Sequence, residues 1–129
     1  AMQAITIQDQ HYDAARRSID FIQRYIFPGS CIPSMTALLS AATKASDFKL
    51  FHFEDMTPHY AKTLRIWREK FFDNAEEIKK LGYPDEFLRM WDFYLSYCEG
   101  GFLERNIGSV QFILARTGNR EEPLLPSIL

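Results

Sequence analysis

The chain has 129 residues, 47% of them hydrophobic and 15% aromatic, enough apolar material for one cored domain and too much for a disordered segment. Its net charge of −2 and pI near 5.9 exclude a general nucleic-acid binder, whose affinity would rest on neutralising phosphates. No apolar run approaches the roughly 20 residues that span a bilayer, and the start carries no signal-peptide pattern.

Ala1 ahead of Met2 reads as an expression remnant. Gln3, Ala4, Ile5, Thr6 and Ile7 alternate and are rich in β-branched residues, which predicts a short strand running into a polar loop. Residues 12–25 predict a helix with Ile19, Ile22 and Ile26 on one face and Arg16, Arg17 and Arg24 away from it. Pro28 and Gly29 end it. Ser34 is a predicted N-cap for a second helix whose apolar face is Met35, Leu38, Leu39 and Ala42, ending near Ser46.

Residues 48–53 favour a strand, since aromatics dominate and Phe51 and Phe53 alternate with His52. Thr57 as N-cap and Pro58 at the first helical position then start a long helix, predicted to run to about Leu81, with Tyr60 in its first turn. Its stripe is Leu64, Trp67, Phe71, Ala75 and Ile78. The next helix, from Asp85, is apolar or aromatic nearly all round, so it is expected to be buried on several sides or to line an apolar cavity, with Gly100 and Gly101 bending or breaking it. Residues 107–116 predict the last strand and residues 117–119 a turn. Cys31 and Cys98 have no metal-type spacing and read as reduced, mostly buried thiols, with a disulfide between them left open. His11, His52 and His59 also lack ligand spacing, and no metal is expected.

Three strands with helices interposed indicate an α/β protein. The thin sheet and the abrupt first strand suggest the C-terminal part of a larger fold. The expected organisation is residues 1–119 as that part of a domain and 120–129 as a tail.

Several segments together carry a family resemblance: Gln3 to Ile7; Tyr25 to Ser34, with its Tyr-Ile-Phe-Pro-Gly followed by Pro-Ser; Glu54-Asp55; His59 to Trp67, which reads His-Tyr-x-x-Thr-Leu-x-x-Trp; and Phe87 to Trp91. In this order they resemble the C-terminal portion of the cyclopropane-fatty-acyl-phospholipid synthases and mycolic acid methyltransferases. The resemblance implies a class I S-adenosylmethionine-dependent methyltransferase fold, with about three strands present and lipid-site helices inserted between the last two. It also implies transfer of the sulfonium methyl to the double bond of an unsaturated phospholipid acyl chain, with bicarbonate as the base that closes the ring.

Carried over by resemblance, Tyr60 contacts bicarbonate through its hydroxyl and Ile5 through its backbone. Gln3 stands where the family has histidine. Glutamine can hydrogen-bond but cannot take the proton in the same way, so a different cation fate, methylation or methylenation without ring closure, stays open. Trp67, Phe71, Trp91 and Tyr94 are the candidate acyl-chain wall, against the plainer reading of an ordinary aromatic core. Lys62, Arg65, Arg68 and Lys70 form a basic edge, read either as a solvated face or as an attraction to an anionic membrane surface.

No Gly-x-Gly-x-Gly follows a predicted strand, so strong binding of S-adenosylmethionine by this chain alone is not expected. The expected product is an inactive, truncated methyltransferase portion, cytoplasmic and peripheral to the membrane. The alternative is a noncatalytic lipid-binding or oligomeric scaffold. The uncovered first strand predicts a homodimer or strand-swapped assembly.

Overall fold

A computed structural model describes residues 1–122. The fold is α/β, in the order β1 (Met2–Ile7), α1 (Asp9–Ala15), a π-helical turn (Ile22–Ile26), α2 (Met35–Ala45), β2 (Lys49–Asp55), α3 (Thr57–Asp73), α4 (Ala75–Lys80), α5 (Asp85–Leu103) and β3 (Ile107–Ala115). All three predicted strands are present, and three helices fill the interval between the last two. The chain divides into a sheet unit, residues 1–18, 31–56 and 108–122, and a helical unit, residues 19–30 and 57–107.

In the sheet unit β3 is the middle strand, with β1 on one side and β2 on the other. β2 pairs antiparallel with β3, placing Glu54 opposite Gln111 and Phe53 opposite Phe112. A register shift between Leu50 and His52 marks a bulge, where one residue is accommodated without a partner. Ser109, Val110, Phe112 and Ala115 of β3 are buried, as suits a strand covered on both sides. The Ser34 hydroxyl caps α2 by accepting from Ala37 N at 3.2 Å, as its position before the apolar run predicts. Asp9 Oδ1 accepts from Thr36 N at 3.2 Å, so the first residue of α1 is tied to the first turn of α2. Bonds from Ser34 and then Thr36 hold this carboxyl below its ordinary value.

In the helical unit α3 and α5 pack together. Ala61 and Leu64 of α3, and Leu88, Leu95 and Phe102 of α5, are buried. Leu88, Leu95 and Phe102 recur every seven residues, two helical turns, and so form one line. Each such burial stabilises by roughly 1.5–3 kcal/mol. Outside the apolar seam, Arg65 Nε donates to Glu99 at 2.8 Å and Arg68 Nε to Asp92.

Expectations for the helices and the cysteines are corrected. The helix predicted over residues 12–25 is two pieces: α1 ends at Ala15 and a π-helical turn begins at Ile22, while Ile19 is 79% exposed rather than on a buried face. The break is made by a reciprocal cap, in which Asp20 Oδ1 accepts from Gln23 N at 2.8 Å and Gln23 Oε1 accepts from Asp20 N at 3.0 Å. The long helix stops at Asn74, whose side chain donates to Lys70 O at 2.7 Å, and restarts as α4.

Gly100 and Gly101 do not break α5, which continues to Leu103. A Cβ at Gly101 would lie 3.2 Å from the Ile107 side chain, so glycine there permits close approach of the returning chain. One face of α5 stays open, where Phe93 and Tyr97 are about half exposed, at 52% and 51%. The cysteines are free, but Cys31 is exposed and Cys98 half-buried. Of the tail expected over residues 120–129, residues 120–122 have no regular structure, and residues 123–129 lie outside the described residues.

Candidate functional site

Tyr60 is the fourth residue of α3, in the first turn as its Thr-Pro start predicts. Its ring meets Phe102 at 4.8 Å between centroids and Trp67, about two turns further along the same face of α3, at 6.3 Å. Trp91 is the hub of a second aromatic group, 6.4 Å from Phe71 and 5.3 Å from Tyr94, edge to face with the latter. Phe27, just after the π-helical turn, stands edge-on to Tyr94 at 6.0 Å. All four candidate wall residues are therefore joined to one another or to Tyr60 through ring contacts within the helical unit. Their exposures differ. Phe71, Trp91 and Tyr94 are half-buried, whereas Trp67 is 50% exposed and does not continue the buried line begun by Ala61 and Leu64.

Tyr94 and Cys98 are one helical turn apart on α5. Burial, then the neighbouring Cys98 and Tyr60, push the Tyr94 phenol up to about 12. Burial likewise pushes the Cys98 thiol up to about 11, with Asp20 adding to the rise and a hydrogen bond from the Tyr94 phenol opposing it. Near neutral pH both groups are uncharged, so this part of the aromatic group carries no fixed charge.

Gln3 and Ile5 belong to β1 of the sheet unit. Ile5 is half-buried and Gln3 exposed. Gln3 Oε1 accepts from Gln111 Nε2 on β3 at 2.9 Å, and both residues line a cleft of about 460 Å³ together with His52 and Glu54. Gln111 and Phe102 were not singled out from sequence. Phe102 was legible in the seven-residue recurrence from Leu88 and Leu95. Gln111 had no local signal, because its partner lies 108 residues away.

Of the basic edge, Arg65 and Arg68 are engaged by Glu99 and Asp92. Lys62 and Lys70 are its cations outside carboxylate pairs among the described residues. No helix among the described residues is long and apolar enough to cross a membrane.

A family model described as mycolic acid cyclopropane synthetase matches residues 1–112. The chain belongs to this family. It is 37% identical over 118 residues to the tuberculostearic acid methyltransferase UfaA1 of Mycobacterium tuberculosis, covering 92% of this chain and 28% of the relative. It is 32% identical over 96 residues to the cyclopropane-fatty-acyl-phospholipid synthase of Escherichia coli, covering 74% of this chain and 24% of the relative. The chain thus spans about a quarter of the length of these curated relatives. The solved structure of mycolic acid cyclopropane synthase CmaA1 complexed with SAH and CTAB superposes with a TM-score of 0.74 at 26% identity, over 87% of this chain and 42% of that one. The cyclopropane synthase MmaA2 from Mycobacterium tuberculosis does so equally well, with a TM-score of 0.74 at 25% identity. The fold is the C-terminal portion of this methyltransferase fold.

The family is S-adenosylmethionine-dependent. The residues present do not form the glycine-rich strand-to-helix turn that cradles such a cofactor. The turn from β1 into α1 is Gln8 and that from β2 into α3 is Met56. Bicarbonate requires hydrogen-bond donors, and within the helical unit the Tyr60 phenol is a group of that type.

Proposed function

We propose that this chain is the acyl-chain portion of an S-adenosylmethionine-dependent methyltransferase that acts on the double bond of unsaturated phospholipid acyl chains. The observation that carries this reading is the family match over residues 1–112, together with 37% identity to a tuberculostearic acid methyltransferase. S-adenosylmethionine supplies an electrophilic methyl group, and this chain's part is to receive the lipid. Trp67, Phe71, Trp91 and Tyr94 form a wall for the acyl chain, exclude water and offer ring faces to a developing cation. The Tyr60 hydroxyl and the Ile5 backbone contact bicarbonate, with Gln3 as a further donor. Gln3 cannot relay a proton as histidine does, which favours a product whose formation needs less from that position.

By itself the chain is inactive, because it holds no cofactor loop. Isothermal titration with S-adenosylmethionine tests this: no saturable heat is expected, and tight binding would contradict it. The alternative, a noncatalytic lipid-binding or oligomeric scaffold, is favoured by the half-exposed Phe93 and Tyr97. The two part in a complementation assay with a separately supplied cofactor domain of a relative, which restores methyl transfer only under the first reading. The membrane surface acts as the source of lipid, with a peripheral, cytoplasmic location, and β1 pairs in a homodimer or strand-swapped assembly.

A further inference from the structure

We infer that the turn between α4 and α5 is where this chain enters a phospholipid bilayer, with Leu81 and Tyr83 as its anchors. At the apex of this helical hairpin Leu81 is 78% exposed and Tyr83 47%. The pair suits a membrane interface, where an aliphatic tip reaches the acyl region and a phenol stays at headgroup level. The apex is also held in shape. Gly82, at φ 94°, is the left-handed residue that ends α4. Leu81 N donates to Glu77 O at 3.1 Å and Gly82 N to Lys79 O at 2.9 Å, while Pro84 has no N–H. These positions need no water for their amides, which eases entry into lipid.

A row of rings gives the reason for naming lipid as the occupant. Tyr83 stacks on Phe87 at 4.5 Å between centroids, Phe87 lies 5.8 Å from Trp91, and Trp91 5.3 Å from Tyr94. Their spacing of three to four residues keeps them on one side of α5. Tyr83 is exposed and the other three are half-buried, so the row leads from the apex to the candidate acyl-chain wall. A bilayer is the partner whose own acyl chains can follow that row, whereas a docked protein would cover its open end. Headgroup charge plays little part. Lys79 pairs with Asp85 across the turn at 3.2 Å, Lys80 with Glu77 at 2.6 Å and Arg89 with Glu86 at 2.8 Å, so charge near the apex is already balanced. This inference rests on the acyl-chain reading of Trp91 and Tyr94 given above.

The test is co-sedimentation of the chain with zwitterionic phosphatidylcholine vesicles at low and high salt. Leu81→Ser should weaken binding about tenfold or more, as returning one leucine to water implies. Leu81→Trp should bind at least as tightly, with emission that shifts to the blue on adding vesicles. Ile19→Ser removes another side chain that is 79% exposed and should change little, as should high salt. Binding of Leu81→Ser like the parent, an equal loss in Ile19→Ser, or a steep loss at high salt overturns the inference. So does a dimer that becomes a monomer in Leu81→Ser with vesicle binding intact, since a second copy is then the occupant. Brominated short-chain phosphatidylcholine, dispersed as single molecules, reports on the acyl-chain reading separately, because it reaches Trp91 without a bilayer. Its quenching of tryptophan emission should persist in Leu81→Ser. Quenching in the unmodified chain, with vesicle binding unchanged in Leu81→Ser, overturns the docking role alone, whereas no quenching in the unmodified chain overturns both.

Discussion

Tyr94 and Cys98 give the helical unit a definite response to alkali. Their folded values of about 12 and about 11 lie above the ordinary 10.0 and 9.0, so the folded chain holds both protons more tightly than the unfolded one. The resulting stabilisation is complete below about pH 9 and is lost as pH rises through about 11 and 12. Urea midpoints measured at about pH 8 and about pH 10.5 should fall with pH, and Cys98→Ala should flatten the first part of the fall. At Tyr60, ring and hydroxyl have separable tasks. Tyr60→Phe keeps the contacts with Phe102 and Trp67, so the melting temperature should barely move, while methyl transfer in a complemented enzyme should fall about tenfold or more.

Elements read from periodicity and caps emerged largely as predicted, and breaks inside helices did not. Ser34 announced α2 and the Thr-Pro pair announced α3, because each signal acts on the next four residues. The breaks at residues 16–21 and at Asn74 depend on side chains turning back on their own backbone, which competes with a helix only slightly and leaves the apolar pattern intact. Asp20 and Gln23 did carry a readable signal, a D-x-x-Q capping box within an apparently continuous helix. Asp20→Ala should therefore cost about 1 kcal/mol and loosen the π-helical turn, measurable by denaturant unfolding. Asn74→Ala, by contrast, should join α3 to α4 and raise the helical circular-dichroism signal. Asp9 acts between elements: its carboxyl is lowered, so its stabilisation is present above the ordinary 3.8 and is lost as pH falls through the folded value. Asp9→Asn should remove that part of the acid sensitivity in unfolding followed from about pH 6 to about pH 3.

For the whole molecule, family and fold could be read from the order of short motifs, while the candidate site could be read only in part. The aromatic residues proposed as a wall were visible as composition along two helices; their division into a Tyr60 group and a Trp91 group was not, since it depends on how α3 and α5 pack. The sheet side was less legible still. Gln3 could be named by resemblance, but its partner Gln111 is brought to it only by the strand order β1-β3-β2. The basic edge also changes meaning in the folded chain, because Glu99 and Asp92 take two of its four cations and weaken any attraction to anionic headgroups. An increase in lipid affinity at low salt should accordingly be modest.

The two tryptophans, Trp67 and Trp91, are both candidates for the acyl-chain wall, so intrinsic fluorescence reads the central claim directly. The decisive measurement is quenching by phospholipid vesicles whose acyl chains are brominated at the position of the double bond, compared with vesicles lacking bromine. If α3 and α5 receive an acyl chain, emission falls on adding brominated lipid and most of the effect disappears in Trp91→Phe. Equal emission with both kinds of vesicle would contradict the claim.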